Sequence, residues 1–364
     1  MKRISRITSL LLLLTLLLLS LCSCDLIDGI RDFFENPADL TFSLLPDGTY
    51  AVSDVARAVK AKELTVPAEY EGVPVTAIGD EAFHACVLLE RVTLPGTLKT
   101  IGESAFSGCT ALSAIEIPES VTSIGGSAFK NCVALKSITL PSSVTVLGDS
   151  AFSGCLTLGS ATLPGSVTRI GASAFSGCVA LGSLTLSEGI LAIGDSAFSG
   201  CVALTSLTLP ASVTEIGSSA FSGCVALGRI TFSEGLRSIG SSAFLGCVYL
   251  ASIELPDSLL TLGASAFSGC TRLTGVTLGQ SLTSIGDYAF LYCERITNVR
   301  FPASVTTIGT GAFTGCTNFI SASFAVTSGW KAGENPIPEV DLAGPSVAAM
   351  YLKQTYTYHT WTRL

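Results

Sequence analysis

Between Phe83 and Phe313 the chain repeats every 23 residues without one insertion or deletion. The marker is an Ala-Phe pair, found at Phe83, Phe106, Phe129, Phe152, Phe175, Phe198, Phe221, Phe244, Phe267, Phe290 and Phe313. A glycine stands four residues before each phenylalanine, and a cysteine three residues after. A unit this short cannot bury its own apolar face. It folds only when neighbours cover it, so an unbroken period predicts one elongated array and not two or three globules. Composition agrees. The apolar share is 48% and charged residues are only 13%, which excludes a disordered chain.

The unit Leu135 to Thr157 shows how a coil is built. Ile138 and Leu140 alternate with Ser137 and Thr139, the period of a strand with one buried face, and Pro141 ends it. Val144 and Leu147 predict a second extended segment. Gly148 is expected at a turn of positive φ, and Asp149 or Ser150 is expected to cap one helical turn through Ala151 and Phe152. Gly154 suits a left-handed position, and Asn131 replaces glycine there in the preceding coil. Cys155 then turns back inside.

The unit L-x-x-I-x-L-P-x-x-V-x-x-I-G-x-x-A-F-x-x-C resembles the leucine-rich repeat of the BspA-like family of bacterial surface proteins. The resemblance runs from about Glu63 to Phe319. It implies a right-handed solenoid with a continuous parallel sheet on one face. It also implies surface display and, for some members, adhesion to host matrix or plasma proteins. The expected fold is therefore an α/β, β-rich repeat solenoid of 11 repeats, with short strands and single helical turns on the remaining faces. Ser187, Ser233 and Gly279 depart from the strand-ending proline, and Glu71 to Val75 lengthens the first coil.

The flanks read as targeting, tether and caps. Lys2, Arg3 and Arg6 precede an apolar run from Ile7 to Leu21, too short for a membrane span. Leu21-Cys22-Ser23-Cys24 then has the form of a lipobox, with Leu21 three before Cys24 and Ser23 just before it. This makes 1–23 a lipoprotein signal peptide and Cys24 the lipidated residue, the lipid being the only membrane anchor. Residues 24–58 are expected to be a tether and a hairpin cap, with Asp47-Gly48 turning between Phe42/Leu44 and Tyr50/Val52. The solenoid is expected over 59–320. A C-terminal cap follows over 321–364, marked by Trp330, Tyr351, Tyr356, Tyr358 and Trp361.

Chemistry finds little purchase. A net charge of −8 argues against nucleic acid as a partner. Gly148-Asp149-Ser150 and Gly194-Asp195-Ser196 have glycine-flanked serines, but a serine nucleophile needs a base, and the chain has two histidines, His84 and His359. No enzymatic activity and no cofactor are expected. Eleven cysteines form one column, and with Cys22 and Cys24 they account for all thirteen. Equivalent side chains on stacked coils point in parallel, so buried free thiols acting as small apolar fillers are expected, without disulfides or metal.

What remains is the exposed strand face. One column reads Thr93, Glu116, Thr139, Thr162, Thr185, Thr208, Thr231, Glu254, Thr277 and Arg300. The column two residues earlier carries Arg91 and Arg229 among serines. A long polar face with charges at Arg91, Glu116, Arg229, Glu254 and Arg300 points to a protein-binding and adhesion module. Its partner would be a host matrix or plasma protein or another bacterial surface protein, and the chain itself a monomer. The alternatives are a Ser/Thr ladder that binds glycan or an ordered surface, and a spacer with no ligand on the solenoid. Serine and threonine also suit solvated strand positions for packing reasons alone.

Overall fold

The computed structural model describes residues 40–55 and 61–363. The lipobox and Cys24 lie outside the described residues. The molecule is a stack of coils in strict 23-residue register. In the reference coil, Ser137–Thr139 is exposed, buried, exposed in sequence, as the alternation requires. Each of its residues faces its counterpart 23 positions on: Ser137 with Ser160, Ile138 with Ala161, Thr139 with Thr162. The pairing is parallel.

The phenylalanines form the axis of the core. All eleven are fully buried. They stack coil on coil, with centroids 4.8–5.7 Å apart and ring planes within 18° of parallel. Coil spacing is set by the strand ladder at about 4.8 Å, so a flat ring at each step meets the next in an offset stack. Ile138, Leu140, Val144, Leu147 and Leu158 fill the rest of the coil interior.

Two faces carry strands, and the continuous one is not the face expected from the sequence. The second extended segment, two residues per coil (Val146–Leu147, Arg169–Ile170, Ala192–Ile193 and their equivalents), pairs without a break from Thr100–Ile101 to Thr307–Ile308. The longer strands typified by Ser137–Thr139 fall into five separate groups of two or three.

The turn between these faces corrects two further expectations. Gly148 does not have positive φ; Ser150 does, at 58°. Glycine is required at 148 because an added Cβ would collide with the backbone of Gly125 and Gly126 on the preceding coil. Nor is there a capped helical turn. Alternate amides serve the next coil, Ser150 N–H to Ala172 O, Phe152 N–H to Ala174 O and Gly154 N–H to Ser176 O, all within 2.8 Å. Asp149 likewise reaches across coils, its Oδ1 accepting from the Ala172 N–H at 2.7 Å. Asp80, Asp195 and Asp287 make the same bridge to Glu103, Ser218 and Thr310. Gly154 (72°) and Asn131 (58°) are left-handed as expected.

Where proline is missing, other devices hold the bend. Ser187 donates its N–H to Leu163 O, a bond proline could not make. The buried Ser233 hydroxyl donates to Val213 O. The longer first coil contains a small hairpin, Glu69–Tyr70 against Val73–Ile78, turned by Glu71 and Gly72 at φ 52° and 75°.

Both ends are closed. Leu40–Leu44 and Tyr50–Val55 form the antiparallel hairpin, pairing Phe42 with Val52 and Leu44 with Tyr50, and the second strand adds in parallel to Val73–Ile78. At the other end Ser321–Phe324 continues the parallel register. Two short helices, Glu339–Ala343 and Pro345–Met350, and a π-helical turn Tyr351–Thr355 follow. The strand Trp361–Arg363 then runs antiparallel to Thr307–Ile308, with Trp330 and Trp361 buried around Phe324. These strands cover edges that would otherwise invite pairing with another chain. No helix among the described residues is long and apolar enough to cross a membrane.

Candidate binding face

The strand alternation that buries Ile138 turns its neighbours outward, and the register stacks them into columns. Arg91, Glu116, Thr139, Thr185, Thr208, Arg229, Thr231, Glu254, Thr277 and Arg300 are all exposed, and Thr162 is half-buried. The expected residues therefore share one face. Their electrostatics differ from one end to the other. Arg91 is engaged by Glu63 on the preceding strand, and Glu90 is paired with Lys62 at 2.7 Å. Glu63 draws the Arg91 guanidinium pKa further up, and Lys62 holds the Glu90 carboxyl below its usual range. Glu116, Arg229, Glu254 and Arg300 make no ion pair among the described residues.

Two hollows open on this face. One, of about 590 Å³, is lined by Arg91, Thr93, Glu116, Pro118 and Glu119. The other, of about 430 Å³, crosses a break in the strand pairing, between Ser183–Leu186 and Ser206–Thr208, with Glu188 and Pro210 at its rim. The 23-residue period continues through the four breaks, but three of them follow the strands whose terminal proline is replaced, by Ser187, Ser233 and Gly279. Glu188 is less free than it looks, because its carboxylate accepts the N–H groups of Ala211 and Ser212.

The cysteine column is buried from Cys109 to Cys316, and all eleven thiols are free. Filling is only part of its work. Each Sγ from Cys109 onward lies 3.1–3.3 Å from the carbonyl oxygen of the phenylalanine one coil back, Cys155 on Phe129 for example, and donates to it. That bond explains a cysteine where alanine would have filled similar space, and a pattern reading for apolar residues misses it. Burial pushes the thiols of Cys132, Cys224 and Cys316 up to about 12, and those of Cys247, Cys270 and Cys293 well above the usual range. Cys86 differs. It is half-buried, bonds to no carbonyl among the described residues, and its pKa is lowered by its interaction with the neighbouring Cys109 thiol. Of the eleven repeat thiols, Cys86 alone should therefore react rapidly with iodoacetamide in the folded chain at pH 8, and the other ten only on denaturation. Mass spectrometry of the labelled protein checks this; fast labelling of several thiols would contradict the sealed column.

The glycine-flanked serines do not meet a histidine. Ser150 and Ser196 belong to the left-handed turn column, His84 is exposed in the first coil, and His359 sits in the C-terminal cap beside Gly333. No group of three or more His, Cys, Asp or Glu side chains among the described residues could hold a metal.

Comparison with known proteins now adds to the geometry. The family described as BspA type leucine rich repeat region matches residues 76–205 and 191–320, in six copies. The chain belongs to this family. It is similar to a leucine-rich cell surface protein of Faecalibacterium prausnitzii, with 29% identity over 80% of this chain and 94% of that one, at a TM-score of 0.52. A leucine-rich repeat protein of Bacteroides ovatus is also 29% identical, over 78% and 93% of the two chains, with a TM-score of 0.44. Among curated proteins none matches. BspA-type membership accounts for the coil of roughly 23 residues and its parallel strands.

Proposed function

We propose that this BspA-type chain is a non-enzymatic binding and adhesion module of the bacterial surface, held by a lipid on Cys24, with its protein partner on the exposed strand face. The observation that carries the reading is the hollow at Thr185, Ser206 and Thr208, one coil from the unpaired Arg229 and two from Glu254, on a face roughly 50 Å long. Such a face can supply the roughly 800 Å² per partner of a standard interface. A few unpaired charges then act as anchors, and the Ser/Thr columns contribute fit. Surface location rests on the family and on the F. prausnitzii protein being a cell surface protein. Lipidation rests on the lipobox.

Two experiments test it. Proteins of bacterial and host surface extracts are captured on the wild-type solenoid and on Arg229→Glu/Glu254→Arg. A specific partner should bind the variant at least tenfold more weakly, about 1.4 kcal/mol, at unchanged melting temperature. Lys130→Glu, on the turn side, should leave capture intact. If the reversal leaves capture unchanged, the strand-face assignment fails. Separately, labelled fatty acid should enter the wild-type chain and Cys22→Ala but not Cys24→Ala; label in Cys24→Ala would refute the anchor.

A further inference from the structure

A repeat array carries its own internal standard: residues shared by the coils show what folding needs, and departures show what it does not. Two positions of the turn have left-handed backbone. The first is serine in eight coils, from Ser104 to Ser265, and the second is glycine or Asn131 in most. In the tenth coil both are tyrosine, Tyr288 at φ 56° and Tyr292 at φ 57°. A bulky side chain is strained there, and such strain persists only where the surroundings impose it or function uses it. Each ring lies against a glycine of the next coil, Tyr288 on Gly311 and Tyr292 on Gly315, in space a Cβ would occupy. Gly311 itself stands where most coils have serine. Each ring is therefore covered on one side by the next coil, and the two residues remain 39% and 56% exposed.

A second column departs in the tenth coil and in the two coils before it. Two residues after the cysteine, five coils carry alanine, whereas coils eight to ten carry Tyr249, Arg272 and Arg295. The Arg272 guanidinium lies 4.0 Å above the Tyr249 ring, which is 48% exposed. Neither arginine makes an ion pair among the described residues. Of the nearby acids, Asp287 is held by the Thr310 N–H at 2.7 Å, and Glu294 is exposed beside Arg295. The patch is thus aromatic, polar and close to charge balance, on the turn side and apart from the strand face.

We propose that coils eight to ten carry a polysaccharide-binding site. The open faces of Tyr288 and Tyr292 stack on the C–H faces of neutral sugar rings, which the negative π-face of an aromatic ring attracts. Arg272, Arg295 and Glu294 hydrogen-bond the flanking hydroxyls, for which both donors and an acceptor are needed. Charge balance favours a neutral glycan over an acidic one. Rings this exposed favour a glycan over a protein, whose hot spots need a rim that excludes water.

The test is native affinity electrophoresis of the chain in gels containing mannan, mixed-linkage β-glucan, soluble starch or polygalacturonate. At least one neutral polysaccharide should retard it. Tyr288→Ser/Tyr292→Gly, which restores the residues of the other coils, should weaken that retardation at least tenfold and melt no lower than wild type. Arg229→Glu/Glu254→Arg should be retarded normally, which separates this site from the strand face. Retardation by no neutral polysaccharide, or by polygalacturonate alone, would overturn the proposal. So would unchanged retardation of the tyrosine variant, or a melting temperature below wild type, which would make the rings structural.

Discussion

Raising the pH from 8 to 10 under reducing conditions should destabilise this chain far more than an ordinary protein of its size. The buried thiols have folded-state pKa values raised above the unfolded value of about 8.5, to about 12 at Cys132, Cys224 and Cys316 and well above the usual range at Cys247, Cys270 and Cys293. Below pH 8.5 both states hold the proton, so their contribution to stability is intact. Between that pH and the folded value only the unfolded chain releases protons. Stability then falls by about 1.4 kcal/mol per pH unit for each such thiol and is lost once the folded value is passed. Six thiols acting together would remove several kcal/mol within one unit. Urea midpoints from pH 7 to 10 measure the slope, and Cys132→Ala should reduce it by about 1.4 kcal/mol per unit. The small cavity left by that change is independent of pH and shifts only the baseline. A slope unaffected by the substitution would mean that the column is not sealed.

Phe198→Ala should cost about 3–5 kcal/mol for the lost side chain, with more for two stacked neighbours at about 0.5–1.5 kcal/mol each. Its ring lies 5.4 Å from both Phe175 and Phe221. In a stack of coils that touch only their neighbours, a mid-array defect also severs the coupling between halves. Denaturation should therefore split into two transitions. Phe83→Ala, with one ring neighbour at 4.8 Å, should cost less and leave a single transition. A change below about 1 kcal/mol at Phe198 would contradict the stacked core.

The coil was legible because its period is rigid. Apolar alternation placed Ile138 inward and Thr139 outward, and Asp47-Gly48 gave the hairpin that closes the first coil. Contacts between coils were not legible, because they join residues 22 to 26 apart that no local pattern links. Asp149 resembles a helix cap in one coil and is a clamp on the next. Gly148 resembles a turn glycine and is a point of close approach. Cys155 resembles a filler and is a donor to Phe129. The same limit applies to the binding face. Its columns could be listed from the repeat, whereas the hollows and the engagement of Arg91 by Glu63 depend on how successive coils sit together.

Carboxyl footprinting of the chain, free and with its captured protein partner, tests the strand-face assignment most directly. Glu116, Glu254 and Glu339 are all exposed, the last in the C-terminal cap, so each reports on its own part of the surface. Carbodiimide-driven labelling of Glu254 should fall severalfold on binding, while that of Glu339 stays constant. Protection of Glu339 with Glu116 and Glu254 labelled as in the free chain would place the partner on the cap and make the solenoid a spacer.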